Sequence, residues 1–171
     1  KSFSTLVNFI KVNNFKIESC EYSFGTSSDC VIEEALGKVR GAIDLYLIDS
    51  KGVPFIIDLK WTFSEKKYIE KIKNNEAIQL ALYAAAINKR DLSKTAYFML
   101  NQNKIITAAK GLNGENIITI DTTDDNTIVL DKVKQSLEYR WSELKNGKLE
   151  MGEGHALNSL DYHKEKNIIK L

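Results

Sequence analysis

Proline, cysteine and histidine are nearly absent from this chain, at one, two and two residues in 171. Cys20 and Cys30 stand apart, with no C-x-x-C pair and no Cys/His cluster, which excludes a zinc-finger site and a disulfide framework. An intracellular, reducing setting is expected. No run of about 18 apolar residues is available to span a bilayer, and no signal-peptide pattern opens the chain. A soluble, cytoplasmic protein with no membrane partner is therefore expected. The formal net charge is only +1, so no global field attracts a polyanion, and any such binding must come from local lysine patches. With 43% hydrophobic content, 171 residues suffice for one well-cored domain spanning 1–171. Opening on Lys1 rather than Met, the chain reads as a piece of a longer polypeptide.

Hydrophobic spacing supplies the elements. Phe3, Leu6, Val7 and Ile10 share one helical face, and Asn13-Asn14 should end that helix. Residues 16–23 and 31–36 suit strands, with a turn over Gly25-Thr26-Ser27-Ser28-Asp29. Residues 39–49 and 53–60 are rich in Val, Ile, Leu and aromatics, and the short Asp49-Ser50-Lys51-Gly52 link makes them an antiparallel hairpin. Pro54, at a strand start, is tolerated there. A charged helix follows from Glu65 to Lys73, then a helix from Glu76 to Lys89 that is apolar nearly all round and so expected to be buried. Lys94–Leu100 and Lys104–Ala109 form a strand pair about Asn101-Gln102-Asn103, and Ile117–Ile120 a further strand. Asp124 or Asp125 can cap a long helix through Trp141 that ends before Gly147. These elements describe a mixed sheet flanked by helices, α/β or α+β.

Two carboxylates and a lysine stand inside runs otherwise built for burial. Val53-Pro54-Phe55-Ile56-Ile57-Asp58-Leu59 reads as a strand covered on both faces, where an ionised Asp58 costs several kcal/mol unless a cation offsets it. Alternation puts Asp58 and Lys60 on one face, and the hairpin can bring Asp44 beside them. Asp44, Asp58 and the Leu59 carbonyl then offer hard oxygen ligands of the kind Mg²⁺ prefers. Lys60 beside that site could hydrogen-bond an attacking water and the growing phosphate charge. A purely structural ion cluster is the rival reading, but two acids against one lysine leave a net negative charge that burial makes costly. One helix later, Gln79 and Tyr83 are spaced i and i+4 and share a face. The amide could hold a water, a catalytic group or substrate, and the ring could meet a nucleotide.

Gly41-Ala42-Ile43-Asp44, Asp58-Leu59-Lys60 and Gln79-Leu80-Ala81-Leu82-Tyr83, in that order and setting, resemble the RecB-like branch of the PD-(D/E)XK nuclease superfamily over roughly residues 31–100. The resemblance implies a restriction-endonuclease-like core holding Mg²⁺ or Mn²⁺ through Asp44, Asp58 and the Leu59 carbonyl. Lys60 would be the catalytic lysine, with Gln79 and Tyr83 assisting. It also implies an acid in the preceding strand, where Glu33 and Glu34 lie. These neighbours face opposite ways, so at most one of them enters the site, Glu34 being a candidate and Glu33 its alternative. His155 and His163 lie far downstream of where such relatives carry a metal-binding histidine, so any such ligand precedes Lys1 or is dispensed with. Four tail cysteines, which clamp an iron–sulfur cluster in many of these relatives, have no counterpart after Gly147, so no cluster is expected.

Lys66, Lys67, Lys71 and Lys73 follow the Asp58 strand and are candidates for touching phosphates, against the alternative of a solvated helix face. Lys164, Lys166 and Lys170 read as a soluble tail. The expected activity is metal-dependent hydrolysis of DNA phosphodiester bonds in repair, recombination, phage or defence. A helicase or other subunits could be partners, and RNA is an alternative substrate. The rival from another class is a degenerate copy of the fold that binds DNA or a protein without cutting.

Overall fold

The computed structural model describes residues 2–25, 30–31, 38–88, 94–122 and 126–148. Glu33, Glu34, the proposed caps Asp124 and Asp125, both histidines and the tail lysines lie outside them. The chain divides into two compact units, Lys1–Leu137 and Glu138–Leu171. Of the second, the described part is helical through Lys145, with Arg140 paired to Glu143 at 3.0 Å.

The first unit is built on a six-stranded mixed sheet. In chain order the elements are α1 (Ser2–Val12), β1 (Lys16–Phe24), β2 (Cys30–Val31), β3 (Lys38–Val39), β4 (Gly41–Ile48), β5 (Pro54–Lys60), α2 (Glu65–Lys73), α3 (Ile78–Asn88), β6 (Thr95–Met99), β7 (Lys104–Thr107), β8 (Ile117–Thr119) and α4 (Asn126–Lys145). The sheet runs β1-β4-β5-β6-β7-β8, while β2 and β3 form a separate pair. The expected strand over 39–49 is thus divided at Arg40, with β3 belonging to another ladder. β4 and β5 form the expected hairpin. Asp49 closes its turn, its Oδ1 accepting from the Lys51 and Val53 amides at 2.8 Å each, and Gly52 supplies the φ of +78°. β5 and β6 are parallel, and α2 and α3 supply the crossover connection that a parallel pair needs.

Period-two alternation sends the two strand faces to different layers. Leu45, Leu47, Phe55, Ile57, Phe98 and Ile105 pack with Leu6 and Phe9 of α1 on one face. Tyr97, Met99 and Ile106 pack with Ile72, Ala77 and Leu80 from the α2–α3 region on the other. Helix α1 buries Leu6 and Phe9, but Phe3, read as part of its apolar face, is exposed because the helix rests on the sheet by its middle turns only. Helix α3 departs from the fully buried cylinder expected of its composition. Leu80, Ala81, Tyr83, Ala84 and Ala85 are buried, while Ile78 and Gln79 in the first turn are exposed. That opening meets the Lys60 ammonium, which donates to Gln79.

Candidate active site

Strand β5 is covered on both faces, as its composition predicts: Phe55, Ile56, Ile57 and Asp58 are each at most 1% exposed. Such a strand needs its edge groups matched by ladder partners. The β4–β5 register runs from Ile48 opposite Pro54 to Leu45 opposite Ile57, then stops. Continuing the alternation, Ile43 and Leu59 would be the next pair to exchange backbone hydrogen bonds. Instead the Leu59 amide donates to Oδ2 of Asp44 at 2.7 Å. The Asp44 carboxylate therefore replaces a rung of the sheet, and the Leu59 carbonyl, on the same side of the strand as its amide, is left at the mouth of the opening.

On β5, Lys60 Nζ stands 2.6 Å from Oδ2 of Asp58. One lysine thus stands against this buried oxygen, while Asp44 brings a second negative charge to the same strand. Burial pushes the Asp58 carboxyl above the ordinary aspartate range, Lys60 pulls it back down, and the Asp44 charge adds to the rise. Lys60 also donates to Oε1 of Gln79 at 2.9 Å. Gln79 Nε2 donates in turn to the Tyr83 hydroxyl at 2.7 Å. Burial raises the Tyr83 pKa, the Gln79 bond opposes that, and the Asp58 and Asp44 charges add to it, so the phenol stays protonated at neutral pH. The chain of contacts thus joins Asp58, Lys60, Gln79 and Tyr83, with Asp44 tied to the same strand through Leu59.

Gly41 enters this arrangement for a steric reason. A Cβ there would lie 2.5 Å from the Phe24 ring, and that ring meets Tyr83 edge-on at 6.0 Å between centroids. The absence of a side chain at Gly41 is what lets Phe24 lie across β4 and buttress Tyr83. Phe24, one residue beyond the strand expected over 16–23, carried no sequence signal for this role. Among the lysines of α2, Lys71 alone is partly buried, with Lys66, Lys67 and Lys73 exposed. Lys66 is 3.8 Å from Glu70 on the solvent face. Lys71 stands 5.4 Å from the Tyr68 ring centroid, close enough to the site to feel Asp58. Burial lowers its pKa first, with Lys67 and Lys60 adding to the fall and Asp58 opposing it.

Whether these residues suit a divalent cation turns on Asp58. A buried carboxylate, a second carboxylate nearby in sheet order and a carbonyl at the same opening, with Lys60 as the cation against them, make a hard oxygen donor set that carries excess negative charge. The donors fit. Among the described residues, no group of three or more His, Cys, Asp and Glu side chains gathers to hold a metal. Also among them, no helix is long and apolar enough to cross a membrane.

A mixed sheet flanked by helices, with a buried acid and a lysine two residues on in a central strand, defines a restriction-endonuclease-like fold. The model of the PD-(D/E)XK nuclease superfamily matches residues 7–156, and the chain belongs to that superfamily. Comparisons with curated proteins and with solved structures return no match.

Proposed function

We propose that the chain is a metal-dependent deoxyribonuclease of the RecB-like branch, hydrolysing phosphodiester bonds by attack of water. Membership in a superfamily of nucleases supports the class of reaction. The observation that carries the site assignment is Asp58, 1% exposed with Lys60 2.6 Å away, where the β4–β5 ladder gives way to the Asp44 carboxylate.

Asp44, Asp58 and the Leu59 carbonyl would hold Mg²⁺ or Mn²⁺, which when bound activates water and offsets charge on the scissile phosphate. Lys60 is the catalytic residue among the cations. Its ammonium reaches the opening from the strand that carries Asp58, and can donate to the water and to the phosphoryl oxygens as their charge grows. Gln79 positions that ammonium, and Tyr83 positions Gln79. Lys71 stands where it can meet a neighbouring phosphate, and exposed Lys66, Lys67 and Lys73 can extend that contact along α2. Glu34 remains the candidate third acid. A repair, recombination, phage or defence setting, with a helicase or other subunits alongside, is the context that the branch suggests.

The test is cleavage of labelled linear and circular DNA, and of RNA of the same sequence, with Mg²⁺, with Mn²⁺ and with EDTA. Metal-dependent DNA cleavage abolished by Lys60→Ala is the expected result. Tight DNA binding with no cleavage in either metal would establish a degenerate, binding-only copy.

A further inference from the structure

Trp61 and Phe63 follow Lys60 directly in the link between β5 and α2, and each is 79% exposed. Single exposed aromatics are ordinary on a protein surface. Two on one short link, starting at the residue after the proposed catalytic lysine, form a feature that core packing does not explain. Nor is the link loose. The Lys60 carbonyl accepts from the Leu100 amide at 3.0 Å, and the Phe63 carbonyl accepts from Gln102 Nε2 at 2.8 Å. The Ser64 amide donates to Thr62 Oγ1 at 3.2 Å, and Glu65 pairs with Lys104 at 2.7 Å. The backbone is pinned at both ends and in the middle while its two large rings stand in water. Such a frame holds the rings ready for a ligand without further ordering cost.

We propose that Trp61 and Phe63 form a stacking platform for unpaired bases, so that the substrate is single-stranded DNA or a frayed end rather than an intact duplex. This rests on the nuclease reading of the adjoining site. An exposed ring stacks on any base face, and the lysines of α2, which begins immediately after the link, supply the charge to track the backbone. Paired bases inside a duplex offer no open face to such rings. The platform would seat a base at the end of β5, immediately past Lys60 along the chain.

The platform can be read without turnover. Trp61 and Trp141 are the tryptophans of the chain, so Trp141→Phe leaves Trp61 as its reporter. In EDTA, an oligothymidylate of about 12 nucleotides should quench that fluorescence, and a blunt hairpin without unpaired bases should not. Trp61→Ala/Phe63→Ala in the otherwise unchanged chain should weaken oligothymidylate binding about tenfold or more and leave the thermal midpoint unchanged. Absence of quenching, or equal affinity in the double variant, would overturn the proposal. So would concentration-dependent self-association that the double variant abolishes, with no effect of oligothymidylate. Metal-dependent cleavage separates this inference from the function it rests on. If wild type cuts and the double variant cuts single strands equally fast, the platform fails and the nuclease stands. If quenching and its loss occur as expected but no metal supports cutting, the platform stands and the catalytic reading fails.

Discussion

Lys60 and Gln79 meet across the gap between β5 and α3, the ammonium donating to the amide oxygen at 2.9 Å. Gln79 is exposed, so its contribution to packing is small. Its value lies in aiming Lys60. Gln79→Ala should leave the melting midpoint nearly unchanged. Loss of a hydrogen bond to a charged group, at about 1.5–3 kcal/mol, corresponds to roughly a 10–100-fold fall in cleavage per folded molecule. A large loss of stability with normal turnover would make Gln79 a packing residue.

Lys60→Ala tests the catalytic lysine. Because the ammonium acts on water and on developing phosphate charge, cleavage should fall by at least about two orders of magnitude. Metal affinity, measured by calorimetry, should stay within a few-fold. Undiminished cleavage would remove Lys60 from the mechanism.

Asp58→Asn tests the strain of the buried acid. Its folded-state pKa is raised, chiefly by burial, so its charged form is disfavoured by folding. Metal-free wild type should therefore lose stability as pH rises from the ordinary carboxylate value of about 3.9 through the raised folded value. The Asn variant lacks that dependence. At neutral pH it should melt at or above wild type, and the advantage should vanish in acid. Mg²⁺ or Mn²⁺ should raise the wild-type midpoint and barely move the variant. A variant that unfolds, beside a wild type indifferent to both ions, would make Asp58 a structural partner of Lys60.

Asp44 has two separable duties, one in the sheet and one toward a cation. Asp44→Asn keeps an oxygen for the Leu59 amide and removes the charge, so it should fold normally and lose metal-dependent stabilisation. Asp44→Ala also orphans that amide, and should cost about 1–3 kcal/mol more. Equal stability of the two variants in urea titration would show that the Leu59 bond contributes nothing.

Gly41→Ala tests the buttress behind Tyr83. A methyl group within 2.5 Å of the Phe24 ring forces that ring aside. Overpacking of this kind costs about 1–3 kcal/mol, and the displaced Phe24 should also lower cleavage by loosening Tyr83. Phe24→Ala on top of Gly41→Ala removes the clash. Gly41→Ala should then cost little further stability beyond Phe24→Ala alone, so the two losses should be non-additive.

Much of this protein was legible in its sequence because the signals are local. The period of apolar residues marks the hairpin of β4 and β5, and an acid inside a doubly buried strand is anomalous wherever it is read. Spacing alone puts Gln79 and Tyr83 on one helical face, and they are hydrogen-bonded there. Tertiary structure decided what depends on residues far apart in the chain. The ladder ends one pair short of Asp44 and Asp58, so Asp44 binds the Leu59 amide; no local pattern states where two strands part. Phe24 reaches Tyr83 only because Gly41, against which its ring lies, has no side chain. Lys71 differs from Lys66, Lys67 and Lys73 only by the direction of its side chain relative to Asp58, which is set by how α2 packs on the sheet. Composition likewise made α3 a buried helix, yet its first turn opens to solvent, because burial belongs to the surface a helix meets and not to the helix itself.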